Sequence, residues 1–339
     1  MFKLSMDRIQ ELLSSLGTVL APVESAGQVN FGVWSADATL RLDALHTVKS
    51  PKDAFFPQTE ELARFKLEGK NISVGVPEIK DEPFVLFGVR ACDARSFDIL
   101  DRVFLSDPVD VGYATRRNLG TVVTLACSRP GETCFCQTFG IDPSEPAGDV
   151  STWIDGGFLY WKPVTEKGEK LTETVKALFE ETDDSAVEAA KANIRAILDR
   201  LPLKDLSLEG WGGDVLMEKF SDEKWEEISS ACLGCGTCTF VCPTCQCYDV
   251  RDFDTGGGIQ RYRCWDSCMF SDFTLMAHGT NRPTQVERFR QRFMHKLVYF
   301  PSKNDGLYSC VGCGRCLEKC PQSLNIVKII KALGVKDNA

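Results

Sequence analysis

CLGCGTCTFVCP (232–243) decides how this 339-residue chain is read, because CVGCGRCLEKCP (310–321) repeats it. Both segments follow C-x2-C-x2-C-x3-C-P. Two-residue gaps let one tight loop wrap three corners of an iron–sulfur cube, and the departing chain leaves the fourth corner to be filled from elsewhere. In two-cluster ferredoxins the fourth cysteine of each run ligates the other cluster. That rule pairs Cys232, Cys235 and Cys238 with Cys320 around a first [4Fe–4S] cluster, and Cys310, Cys313 and Cys316 with Cys242 around a second. Gly234, Gly236, Gly312 and Gly314 fit a backbone that must approach sulfide closely. Two alternatives stand beside this: each run keeping its own fourth cysteine, or structural zinc, which usually takes two C-x2-C pairs.

Working outward, the chain carries 16 cysteines, none before position 92, four at 92–136 and twelve at 232–320. The opening MFKLSMDRIQELL reads as the start of an amphipathic helix and lacks the apolar core of a signal peptide. No apolar run is long enough to span a bilayer. The expectation is therefore a cytoplasmic protein without a membrane span, in which clustered cysteines serve metal or redox chemistry rather than disulfides. A net charge of −9 makes nucleic acid a poor partner.

Residues 1–218 read as a mixed α/β domain. FVLFGV (84–89) and TVVTLA (121–126) are strand candidates, residues 93–104 a helix between them, and Tyr160 and Trp161 lie in a third strand. A helical stripe runs over 171–201, and LSLEGWGGD (206–214) reads as a linker. Residues 219–339 read as a mainly helical, dicluster ferredoxin-like domain, with helices over 222–230, 286–298 and 324–333. The sixty-eight positions from Cys242 to Cys310 are too many for the compact β-rich ferredoxin hairpin. The fold class is thus α+β.

Cys92 and Cys127 sit just past two predicted strands, and Cys134 and Cys136 lie in the following loop. Beyond strand ends is where α/β sheets gather their sites. Together these four could hold a third cluster, with Asp93 beside them; the plainer reading is buried small hydrophobes. Cys245, Cys247, Cys264 and Cys268, between the two motifs, could make an additional metal site or a redox dithiol, although packing around the first cluster is the simpler reading. Arg282, Arg288, Arg290, Arg292, His295 and Lys296 fall on or beside one helix. They read first as a solvated face, and alternatively as a docking face or as cations beside anionic clusters. Thr255-Gly-Gly-Gly258 does not follow a strand and is no phosphate cradle. No dinucleotide fingerprint and no acid–base constellation is present.

Five segments carry a family resemblance: KSPKDAFFPQTE (49–60), FGVRACDA (87–94), ACSRPGETCFC (126–136), CLGCGTCTFVCPTCQCYDV (232–250) and CVGCGRCLEKCP (310–321). They resemble iron–sulfur subunits of anaerobic oxidoreductases, namely the iron–sulfur subunit of anaerobic sulfite reductase and the β subunit of cytoplasmic nickel–iron sulfhydrogenases. The resemblance implies a non-catalytic electron-transfer subunit. It would stand between an FAD-containing, NAD(P)H-dependent flavoprotein and a catalytic or further redox subunit, of sulfite reductase, hydrogenase or heterodisulfide-reductase type. A stand-alone reductase acting on sulfite or a disulfide is the alternative, and an iron–sulfur redox sensor a more distant one.

Overall fold

FVLFGV (84–89) is apolar at nearly every position, as a strand covered on both faces must be. The computed structural model describes residues 1–79 and 82–334 and puts this strand inside a large mixed sheet. The strands of the two larger sheets, in chain order, are β1 (Phe2–Ser5), β2 (Thr18–Ser25), β3 (Gln28–Val33), β4 (Thr39–Leu40), β5 (Thr59–Glu68), β6 (Asn71–Gly75), β7 (Phe84–Val89), β8 (Gly120–Leu125), β9 (Val150–Asp155), β10 (Phe158–Pro163), β11 (Glu180–Glu181), β12 (Tyr248–Asp254) and β13 (Gly258–Trp265). The large sheet runs β11-β1-β10-β9-β8-β7-β2-β3, with β4 added at β2. Its centre, β2-β7-β8-β9, is parallel, and the flanks are antiparallel.

Alternate residues of β7 feed two cores. Val85 and Phe87 join Leu12, Leu13, Val123, Leu159 and Trp161 on one face. Leu86 and Val89 join Phe55, Phe56, Phe97, Leu100 and Phe104 on the other. The face changes through an irregularity at Gly88, whose φ of +83° is the left-handed conformation that glycine tolerates best. Helix α1 (Ile9–Ser15) covers the first face and α2 (Ala91–Phe104) the second. Helices α3 (Val111–Leu119), α4 (Glu166–Val175) and α5 (Glu188–Leu198) complete the layers.

The cysteine-rich half adds α6 (Leu216–Phe220), α7 (Lys224–Ser229), α8 (Thr237–Phe240), α9 (Gln285–Met294), α10 (Phe300–Lys303), α11 (Arg315–Lys319) and α12 (Ile326–Leu333). A single wider turn of helix, His295–Tyr299, joins α9 to α10. Trp225, Phe289, Phe293, Leu297, Ile326, Ile330 and Leu333 form its core.

Four expectations change. The N-terminus opens with a strand that pairs with β10, and its helix begins only at Ile9. The 171–201 stripe is two helices, interrupted where Glu180–Glu181 pairs with β1. The 206–214 segment is no free linker: Leu206 and Trp211 are buried in the second core, and the Trp211 indole N–H donates to Ile330 O at 3.2 Å. The insertion between the motifs is helical only in its second part, from α9 onward. It supplies the β12–β13 hairpin, which pairs with β5–β6 of the first half in a four-stranded sheet ordered β12-β13-β5-β6. Trp265, at the end of β13, lies in the Phe55–Phe56 core with its ring 5.9 Å from that of Phe56 and its indole N–H donating to Phe56 O at 3.1 Å. The two halves therefore share a sheet and part of a core.

Candidate iron–sulfur centres

The two motifs fold alike. In each, a glycine in the left-handed region, Gly236 or Gly314, stands immediately before a one-turn helix, α8 or α11. That placement sets the third cysteine, Cys238 or Cys316, in the first helical turn, and the fourth, Cys242 or Cys320, past its end. Cys232, Cys235, Cys238 and Cys320 line a single cavity with Met269, Phe289, Phe293 and Leu324, so the last cysteine of the second run meets the first three of the first run. The Gln285 side-chain amide donates to Cys232 Sγ at 3.5 Å and the Leu324 backbone N–H to Cys320 Sγ at 3.3 Å. Burial raises the Cys238 thiol to about 11.

The reciprocal set assembles too. Cys242 and Cys316 are the thiols that act on both Cys310 and Cys313. Burial lifts Cys310 to about 12 and pushes Cys313 up as well. Against burial, a hydrogen bond from Cys245 and the nearby Lys296 ammonium hold Cys242 well below the ordinary thiol range. Thr244 Oγ1 lies 3.2 Å from Cys242 Sγ.

The glycines of the second loop have a reason beyond sulfide approach. A Cβ on Gly312 would lie 2.4 Å from Phe135 O, and one on Gly314 would lie 2.7 Å from Thr133 O. The Phe135 N–H donates to Gly312 O at 2.9 Å. The second motif is thus pressed directly against the loop that carries Cys134 and Cys136. Those two converge with Cys127 and Cys92. Cys127 and Cys134 act on the Cys136 thiol, and Cys92 faces both Cys136 and Cys313. The parallel pairing of β7 with β8 brings Cys92 and Cys127 to the same edge. Burial raises the Cys134 thiol to about 11 and pushes Cys127 and Cys136 up.

The third group assembles only in part. A hydrogen bond from Cys268 holds the Cys247 thiol down at about 7 against burial, and Cys245 adjoins both Cys242 and Cys247. Cys264 stands apart. It pairs in register with Asp249 and Thr59, and the charges acting on it come from Arg251, Asp249 and Asp266. Among the described residues no three His, Cys, Asp or Glu side chains converge closely enough to hold a single metal ion.

Around the thiols lie buried cations. Arg292 and Lys296 are 2% and 3% exposed, so the basic helix is a solvated face only in part. Arg292 Nη2 donates to Cys238 O at 3.4 Å, while its Nε and Nη1 have no partner among the described residues. Lys296 Nζ donates to Thr244 Oγ1 at 2.7 Å and to Ser309 O at 2.9 Å. Burial opposes both charges. Thiols outweigh it: chiefly Cys238, Cys316, Cys245 and Cys242 for Arg292, and Cys242, Cys245 and Cys310 for Lys296. Lys52 is 2% exposed, donates to Cys245 O at 2.7 Å and lies 3.9 Å from the centroid of the Trp265 ring. Burial lowers it, opposed by Cys245 and Cys242. Arg90 is buried beside Cys127 and donates to the carbonyls of Leu42, Ala44 and Ala126.

Buried charge without a counter-charge costs several kcal/mol. Thiolate-ligated cubes carry net negative charge, so cations left half-partnered against eight paired thiols fit such a group. Sequence reasoning missed Lys52, which stood out only as a member of KSPKDAFFPQTE. The one signal for it was a lysine flanked within four positions by Phe55 and Phe56.

Residues 231–324 match the family described as the 4Fe-4S dicluster domain. The chain is 33% identical over 333 residues to sulfhydrogenase 2 subunit beta of Pyrococcus furiosus, covering 94% of this chain and 92% of that one. No solved structure matches it. No described helix is long and apolar enough to cross a membrane.

Proposed function

The chain belongs to the family of the sulfhydrogenase beta subunit, and we propose that it is an electron-transfer subunit of a cytoplasmic, anaerobic oxidoreductase complex of hydrogenase type. Electrons pass between an FAD-containing, NAD(P)H-linked flavoprotein partner and a catalytic or further redox subunit. In this reading Cys232, Cys235, Cys238 and Cys320 hold one [4Fe–4S] cluster and Cys310, Cys313, Cys316 and Cys242 hold a second. Cys92, Cys127, Cys134 and Cys136 hold a third. The chain divides into an α/β part to residue 218 and a dicluster part from 219, laced together by the β12–β13 hairpin.

The observation that carries the reading is adjacency. Cys238 and Cys316 pack against one apolar core, and Cys92 and Cys313 against another, which supports three sets that follow one another. Each cluster, when bound, supplies a one-electron carrier. The protein's own residues fix the spacing, exclude water and set the charge environment. Phe289, Phe293 and Met269 wall the first set, Arg292 meets thiols of both the first and the second, and Lys296 meets those of the second. Arg315 lies between the second and third, facing Cys313 and Cys92.

The test is reduction by NAD(P)H, followed by bleaching of the iron–sulfur absorbance. The purified chain should bleach only when its flavoprotein partner is added. Turnover of sulfite or a disulfide by the chain alone with a chemical reductant would favour the stand-alone reductase instead.

A further inference from the structure

Cys247 and Cys268 meet at the base of the β12–β13 hairpin. Cys247 immediately precedes β12, and Cys268 lies three residues beyond β13. Tyr248 pairs with Trp265 in register, and the Asp266 N–H donates to Cys247 O at 3.0 Å. The ladder therefore holds the two chain ends side by side. Cys268 is buried and Cys247 half-buried, and each thiol is the chief influence on the other.

The surroundings are electropositive and enclosed. Cys268 is 7% exposed. Lys296 and Lys52 both act on Cys247. Lys52 is clamped between Cys245 O and the Trp265 ring, which fixes that charge against the hairpin base. Ser267, between Trp265 and Cys268, is fully buried, and its hydroxyl accepts from Thr239 of α8 and from the Met269 N–H. The loop bearing Cys268 is thus tied to the helix that carries the first motif's third cysteine. Neither cysteine belongs to the three sets of four assigned above. Cys245 links the pair to Cys242, the crossed ligand of the second set.

We propose that Cys247 and Cys268 form a redox-active pair that interconverts between dithiol and disulfide, exchanging electrons with the clusters held in the adjoining sets. The inference rests on the relay reading for its electron source. Reduction breaks one sulfur–sulfur bond, consumes two electrons delivered singly by two reduced iron–sulfur clusters, and takes up two protons to leave two thiols. Oxidation returns the two electrons to the clusters and releases both protons. Cations beside the sulfurs favour the thiolate through which such exchange proceeds. One-electron carriers would thereby be joined to a two-electron store, matching a partner that gives or takes electrons in pairs. Cys264 takes no part.

The experiment uses the full chain, iron-loaded under anaerobic conditions. It is equilibrated with graded ratios of oxidised to reduced dithiothreitol, then acid-quenched, alkylated and mapped by mass spectrometry, with iron counted in parallel. The expected result is a Cys247–Cys268 disulfide that appears and disappears as a two-electron couple while iron content stays constant. Cys268→Ser should abolish it with iron retained, and Cys264→Ser should change neither. Two results would overturn the proposal. One is loss of about four irons per chain in Cys247→Ser or Cys268→Ser, which would make these residues cluster ligands. The other is separate alkylation of both cysteines at every ratio in a fully iron-loaded chain. A wild-type chain that takes up no iron would instead overturn the relay reading itself.

Discussion

Arg315 and Asp93 form an ion pair closed from solvent, with Nη1 to Oδ1 at 2.6 Å and Nη2 to Oδ2 at 2.7 Å, each side chain 1% exposed. Arg315 immediately precedes Cys316, and Asp93 immediately follows Cys92. The Arg315 Nε also donates to Thr47 O at 2.8 Å. A single guanidinium therefore fastens the second motif to the helix that begins at the third cysteine set.

Breaking that pair from one side strands a buried charge. Arg315→Ala and Asp93→Ala should each destabilise the chain by about 3–5 kcal/mol. The double variant should lose clearly less than the sum, because neither partner is left behind. Denaturant unfolding of the four proteins in the cycle measures this.

Trp265 is the second fastening. Trp265→Ala removes a ring that is 6% exposed and stacked on Phe56, and should cost about 3–5 kcal/mol. The loss should concentrate in the shared sheet, so limited proteolysis should open the chain within 248–265 before it touches β7–β9. Uniform cleavage across the chain would mean that the hairpin is not a separate latch.

Arg292 bears on the electrostatics of the clusters. Cations near a cluster raise its reduction potential. Arg292→Met should therefore lower the potential of the cluster at Cys232, Cys235, Cys238 and Cys320, followed by an anaerobic redox titration read by electron paramagnetic resonance. The same substitution should stabilise the iron-free chain, where the guanidinium is buried with two nitrogens unpartnered among the described residues. An unchanged potential together with a destabilised iron-free chain would contradict a counter-charge role.

How far the sequence could be read follows from the range of each interaction. The repeated cysteine spacing is local, and Cys232, Cys235, Cys238 and Cys320 line one cavity. Strand β7, helix α2 and strand β8 also carried their own periodicity, as did Ile326–Leu333. The shared sheet did not. β6 alternates but is exposed along its whole length, and β12 is half charged; each pairs with its chain neighbour, β5 or β13, and the pairing that builds the sheet, β5 with β13, joins segments some two hundred residues apart. The apolar stripe over 171–201 ran on through a break that exists because Glu180 and Glu181 pair with β1. The buried cations were equally hidden. Arg292 and Lys296 look like their neighbour Arg290, whose side chain lies over the Phe220 ring. Which face of that helix meets the thiols is decided by packing against Trp225 and the 232–242 loop, not by its own composition.

The central claim is that twelve of the cysteines hold three clusters, with the fourth ligands of the two motifs exchanged. Iron and acid-labile sulfide per chain, measured on protein purified anaerobically, test it most directly when repeated on Cys238→Ser, Cys316→Ser and Cys127→Ser. The account predicts about twelve irons for the unaltered chain and a loss of about four in each variant, taken from a different cluster each time. Zinc in place of iron, or about eight irons left unchanged by Cys127→Ser, would contradict it.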